Sequence, residues 1–203
     1  MADQELDMRT RILLAAKKLF AKNGYDATSV RQICEEAGAN VALVSYYFGG
    51  KESVYHEIFK QFFPTNKFPE FFSIEDPVEG IRTIIREVVL IRNADLELIS
   101  IIQMEIITLS TRVEKIREFV YPIWQKVRNF LELGRQQGLF RFESLDSTLM
   151  FVLGSVFFYK QRDFFELLFT EERPETQALI RQTIDYVMNG LGYRERDSAM
   201  KND

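Results

Sequence analysis

The sequence predicts an all-α protein, with a three-helix helix-turn-helix domain over residues 1–63 and a larger helical domain over 64–203. Three observations predict it. Every well-patterned segment repeats its apolar residues at intervals of three and four, the spacing of one face of a helix. Glycine and proline are scarce, at 10 and 5 of 203 residues, which favours long helices over many turns. No segment shows the strict apolar–polar alternation of a half-buried strand.

The elements follow in order. Ile12, Ala16, Leu19 and Phe20 form the apolar stripe of a first helix, which Asn23-Gly24 ends. Val30, Ile33, Cys34 and Ala37 form that of a second, with Thr28 and Ser29 as candidate caps before it and Gly38 after it. A third helix runs from Val41 to about Tyr47, and a fourth from Lys51 to before Pro64. Two helices crossing closely around a tight turn need a small residue, a glycine and aliphatic side chains. Cys34, Gly38 and Val44 meet those needs, with Ile33 and Val41 beside them. The stretch PTNKFPEFFSIEDP (64–77) holds three prolines and no periodicity, and reads as a domain boundary or long loop. Beyond it the patterning predicts helices at 77–93, 95–110, 113–137, 145–169 and 175–191. Pro122 should kink the third of these, Gly138 end it, and Pro174 start the last. The tail YRERDSAMKND reads as disordered.

Charge and composition exclude several classes. The net charge of −4 is unevenly spread: residues 1–60 hold eight basic and eight acidic side chains, so the rest of the chain carries the excess. A neutral N-terminal part with a basic face is therefore compatible with an acidic whole, whereas diffuse nucleic-acid binding is not. The polar, acidic N-terminus lacks the basic flank and apolar stretch of a signal peptide. The most apolar run, LMFVLGSVFFY (149–159), is about half of the ~20 residues a bilayer span needs. A soluble, cytoplasmic protein with no membrane partner is expected. One cysteine forms no intrachain disulfide, and Cys34 reads as a small buried residue. One histidine falls short of the two Glu-x-x-His pairs of a di-iron bundle; no His/Cys set suits zinc and no glycine-rich loop suits a phosphate. An enzyme is not expected, nor a metal or cofactor. His56 reads as a solvated or interface histidine, and Arg31, Glu35 and Glu36 as the wet face of the second helix.

The ordered pattern Phe20…Gly24…Thr28…Ile33…Ala37-Gly38…Tyr46-Tyr47-Phe48…Lys51-Glu52 is far more specific than a lone helix-turn-helix spacing. Over TSVRQICEEAGANVALVSYYFGGKESVY (28–55), preceded by RILLAAKKLFAKNGYDAT, the chain resembles the tetracycline-repressor (TetR) family of bacterial transcriptional regulators. The resemblance is close over about the first 60 residues; beyond them it extends only to an all-helical domain of suitable length. It implies a DNA-binding N-terminal domain, a C-terminal effector-binding and dimerisation domain, and a ligand-responsive repressor that binds a palindromic double-stranded DNA operator as a homodimer. The alternative is a helical protein-interaction module that uses phenylalanine-rich surfaces without binding DNA.

At 100° per residue the third helix divides into two faces. Val41, Val44, Tyr47 and Phe48 fall on the side expected to pack, while Ala42, Ser45 and Tyr46 fall on the other with Leu43 at its margin. The resemblance places DNA contacts on that outer side and at Thr28, Asn40, Tyr46, Tyr47 and Lys51. The expected roles divide by chemistry. Lys51 and the first amides of the fourth helix meet a phosphate, with Gly49 and Gly50 allowing close approach, and Thr28 and Ser29 do the same at the second helix. Ala42 and Leu43 meet thymine methyls, and Asn40 and Ser45 bond to base edges. Tyr47 combines a packing ring with a hydroxyl that reaches a phosphate. Family members often carry a basic residue where this chain has Val41, so its operator does not follow from the family.

The second domain is strongly aromatic, with Phe130, Phe140, Phe142, Phe151, Phe157, Phe158, Phe164, Phe165 and Phe169. Most must serve the core and a dimer interface, which the resemblance places on the 145–169 and 175–191 helices. It also implies a pocket for a small apolar or aromatic effector, with Gln103, Glu105, Arg128 and Tyr159 as polar anchors and Phe130, Phe151 and Phe158 as apolar walls.

Overall fold

The computed structural model describes residues 7–65 and 68–195, and among these there is no strand. The helices are α1 (Met8–Asn23), α2 (Val30–Ala37), α3 (Val41–Phe48), α4 (Lys51–Phe62), α5 (Phe68–Ser73), α6 (Pro77–Ala94), α7 (Leu96–Thr108), α8 (Val113–Gln136), α9 (Leu145–Phe157), a 3-10 segment (Phe158–Leu168) and α10 (Thr176–Gly190). Two expectations are corrected. The stretch 64–77 contains the short helix α5, which buries Phe68 and Phe71 despite lacking periodicity. The region 145–169 is an α-helix only to Phe157 and continues with the tighter winding. The tail beyond Glu195 lies outside the described residues.

The chain forms two compact units, and neither is a continuous stretch. The first joins Met1–Thr65 to Asp95–Pro122, and the second joins Asn66–Ala94 to Ile123–Asp203. α7 and the start of α8 thus pack with the N-terminal helices, through contacts that no local pattern announces. The first unit is built on α1, which buries Ile12, Leu13, Ala16 and Phe20 and lies against α2, α4 and α7. Lys17 is buried too, because its ammonium meets the Asp95 carboxylate at 2.7 Å. Asp95 also caps α7 by accepting from the Leu98 amide at 2.9 Å, so one carboxylate starts that helix and holds it to α1.

In the second unit α6, α9 and α10 pack together over Val89, Leu179 and Ile180. Two glycines set close approaches there. A Cβ at Gly80 would overlap the buried Phe130 ring, and one at Gly134 would overlap Phe140. Gly134→Ala should therefore destabilise the protein by about 2 kcal/mol: overpacking costs up to about 3 kcal/mol, and the better helix former returns about 1. Urea unfolding followed by circular dichroism measures this, and an unchanged or higher midpoint would contradict it.

Candidate nucleic-acid interface and effector region

Local chemistry builds the helix-turn-helix. Ser29 starts α2 with a capping box: its hydroxyl oxygen accepts from the Gln32 amide at 3.2 Å, while the Gln32 side chain accepts from the Ser29 amide at 2.8 Å. Gly38 ends α2 in the left-handed region at φ 64°, and its amide reaches back to Cys34 and Glu35. The Arg11 guanidinium crosses that glycine to donate to the Ala37 carbonyl at 2.7 Å, leaving no room for a Cβ. Ile33, Cys34, Ala37, Val44 and Phe48 are buried behind this turn. Gly49, at φ 80°, closes α3.

The outer face of α3 is open. Ala42, Ser45 and Tyr46 are exposed, Tyr46 at 80%, and Leu43 is half-buried. Two residues expected to pack do not: Val41 is 49% exposed and Tyr47 also reaches solvent, so only Val44 and Phe48 fix the helix. A helix of eight residues beside a turn buries a narrower stripe than an angular projection assigns. Tyr46 and Tyr47 stand edge to face with ring centroids 5.1 Å apart, which limits the freedom of both. Asn40 is the N-cap of α3: its Oδ1 accepts from the Ala42 amide at 2.9 Å, leaving its amide NH2 as the outward donor.

Thr28 does not meet the expectation of an outward contact. It is 1% exposed, and its hydroxyl donates to the Gly24 carbonyl at 2.8 Å. Its place one residue before the cap turns it inward to tie the end of α1, and Ser29 alone caps α2. Lys51 is also engaged. Its ammonium donates to the carbonyls of Tyr25 at 2.9 Å and Thr28 at 2.8 Å, and lies 4.1 Å from the centre of the Tyr25 ring. Two of its three protons are therefore held by the α1–α2 connection, and burial pulls its pKa below the ordinary lysine value.

α4 begins differently from its neighbours. α1, α2 and α3 start on Asp7, Ser29 and Asn40, each with a side chain bonded to the first turn. α4 starts on Gly50, which offers no side chain, so its first amides keep no cap.

Behind this edge lies a network within the first unit. The Arg112 guanidinium meets Glu105 at 3.2 Å and Asp26 at 2.9 Å, and sits 4.3 Å from the centre of the same Tyr25 ring. Glu105 is 4% exposed and also accepts from the Ser110 hydroxyl. Tyr25 packs edge to face on buried Tyr55, whose hydroxyl is pushed well above its ordinary pKa, first by burial and then by the Glu105 charge. Burial works against the Arg112 charge, but its bonds to Glu105 and Asp26 hold its pKa above the usual value. Arg112 and Asp26 are 86 residues apart, so the sequence carried no local signal of this pairing.

Residues 12–58 match the family of bacterial regulatory proteins described as the tetR family, and residues 77–187 match the tetracyclin repressor-like C-terminal domain. The chain belongs to the TetR family. It is a helix-turn-helix transcriptional regulator and not an enzyme. Its structure is similar to the crystal structure of HlyIIR, a hemolysin II transcriptional regulator, with a TM-score of 0.74 and 29% identity over 92% of this chain and 98% of that one. It is 25% identical over 146 residues to the transcriptional repressor NicS of Pseudomonas putida strain KT2440, covering 69% of each chain. AibR, solved with isovaleryl coenzyme A and operator DNA, shares the fold at a TM-score of 0.70 and 18% identity, over 89% of this chain and 97% of that one. Among the described residues no helix is long and apolar enough to cross a membrane.

The TetR-like C-terminal region does not gather the expected effector residues. Gln103 and Glu105 lie on α7 in the first unit, and Glu105 is committed to Arg112 and Ser110. Arg128 faces Glu132 and Asp146 at 3.8 and 3.7 Å. Phe130 is buried core against Phe71, with ring centroids 5.8 Å apart. Phe151 is 75% exposed and lines an open groove of about 690 Å³ with Arg141, Thr148 and Tyr186. Phe158 is exposed as well. The Tyr159 hydroxyl is buried and meets no partner among the described residues. Arg92, which the sequence reading passed over, lies beside it. The available signal was its register: it continues the stripe Ile81, Ile84, Ile85 and Val89 of α6, a charge on an apolar face.

Proposed function

We propose that this TetR-family regulator is a ligand-responsive repressor that binds a palindromic operator as a homodimer. The exposed outer face of α3 carries this reading: Ala42, Ser45 and Tyr46 present methyl and hydroxyl groups to a major groove, with Asn40 offering an amide at its start. The uncapped amides of α4 supply the phosphate anchor, and the third proton of Lys51 adds to it. Thr28 is left out of the contact set because its hydroxyl is buried. The homodimer is supported by apolar exposure on α9 and the 3-10 segment, where Met150, Phe151, Phe158, Phe164, Leu167 and Leu168 all face solvent. Two reading heads on one two-fold axis require a near-palindromic site. AibR, a protein of the same fold, holds operator DNA and an acyl ligand together.

Selection of bound sequences from a random DNA library tests the reading. It should return paired half-sites at a fixed spacing, and recovery of unrelated sequences would overturn it. Lys51→Met should weaken binding to every sequence and lower the slope of log affinity against log salt by about one. It should also cost about 1–3 kcal/mol of stability through the two carbonyls it releases. An unchanged slope with lowered stability would leave Lys51 as a brace only.

A further inference from the structure

The second unit contains a buried charge with no counter-charge among the described residues. Arg92 on α6 is 4% exposed. One guanidinium nitrogen donates to the Val156 carbonyl at 3.0 Å, and the other terminal nitrogen is buried with no acceptor. The Tyr159 ring lies beneath it, its centre 4.9 Å from the Arg92 Cζ, and the Tyr159 hydroxyl is likewise buried and unpartnered. Among the described residues no carboxylate lies within ion-pairing distance of Arg92. Arg173 adds a repulsive positive charge, and is itself paired with Asp163. Tyr159 packs against the apolar cluster of Val89, Leu179 and Ile180, as do Leu90 and Ile184.

An isolated buried cation costs several kcal/mol unless it is paired, and buried polar groups almost always find partners. Two orphaned donors side by side therefore call for an acceptor from outside the chain. The free guanidinium nitrogen and the phenol offer two hydrogen bonds in one place, which suits the two oxygens of a planar carboxylate. A phosphate dianion has three terminal oxygens and more charge than one arginine balances. Burial, and after it the Arg173 charge, pull Arg92 below the ordinary arginine range, so an anion beside it is favoured.

We propose that Arg92 and Tyr159 form the anion-binding end of the effector site, and that the effector is a monocarboxylate with an apolar body lying against Val89, Leu90, Leu179, Ile180 and Ile184. This rests on the reading of the second unit as effector-binding, and it names the chemistry of that effector. A neutral apolar compound leaves both donors unfilled and binds weakly.

The experiment uses the full chain without DNA. Calorimetry and thermal shift are run with octanoate, decanoate, benzoate and indole-3-acetate, each against its neutral alcohol. At least one carboxylate should bind with saturation and raise the melting temperature, and its alcohol should bind roughly ten- to a hundredfold more weakly. Arg92→Met should lose that preference while melting no lower without ligand, since it removes a buried unpaired charge. Tyr159→Phe, which keeps the ring, should lose about tenfold in carboxylate affinity. Equal binding of acid and alcohol, wild-type carboxylate affinity in both variants, or no binding by any carboxylate would overturn the proposal. Operator binding is then measured with the carboxylate that binds. Unchanged operator affinity would keep the anion site and remove the ligand-responsive reading. An operator response to a neutral compound only would do the reverse.

Discussion

Ala42→Asp is expected to lower operator affinity at least about a hundredfold, with little change in stability. Ala42 lies on the exposed face of α3, so the new carboxylate meets the negative field of the groove rather than the core. A like-charge juxtaposition in an interface costs several kcal/mol, and each 1.4 kcal/mol is a factor of about ten. Folding is spared for a local reason. Ala42 is the second residue of α3, and a negative charge in the first turn favours the helix dipole. Fluorescence anisotropy on the selected operator measures the first effect, and thermal melting the second. Retained specific binding by a folded variant would mean that α3 presents a different face to DNA. An unfolded variant would mean that the face is not free.

Arg112→Met is expected to destabilise the protein by roughly 3 kcal/mol, because Glu105 stays buried after its partner is gone. For a chain of this size that lowers the melting temperature by roughly 6–12 °C. Most of the cost belongs to the stranded carboxylate rather than to the lost attraction. Arg112→Met combined with Glu105→Gln should therefore recover more than half of the loss. The Asp26 bond contributes little of this, since Asp26 is largely exposed. A melting temperature within about 2 °C of wild type for Arg112→Met would show that the Arg112–Glu105 pair does not carry this part of the stability. The network also joins the edge proposed to meet DNA to α7: Lys51 and Arg112 both pack on Tyr25, one from the start of α4 and the other from just before α8. Loosening Arg112 should thus weaken operator binding as well, by less than Ala42→Asp.

Much of the fold was legible from local chemistry. The starts and ends of α1 to α4 follow from caps, glycines and helical spacing, each of which acts within a few residues. The same holds for the buried Val44 and Phe48 and the exposed Ala42, Ser45 and Tyr46, because a helix converts spacing directly into direction. Legibility failed where a side chain's fate depends on distant neighbours. Thr28 and Lys51 both looked available to phosphate. One is spent on the end of α1, and the other braces the connection that follows it. Val41 looked buried, but α2 and the rest of the first unit cover too little of the short α3 to enclose it. The break at Phe157 fell inside one apolar run, where composition does not distinguish α from 3-10 winding.

The sequence alone determined α1 to α4, the helix-turn-helix order and the family to which they belong, since these rest on interactions among residues close along the chain. The tertiary structure decided which polar groups are already satisfied and which are left waiting. Glu105, an anchor by residue type, is consumed by Arg112, whereas Arg92, on a stripe of isoleucines, is left beside Tyr159 with one terminal nitrogen unpartnered among the described residues. Pairing of that kind is settled by partners tens of residues away, so it becomes visible only when the chain has folded around them.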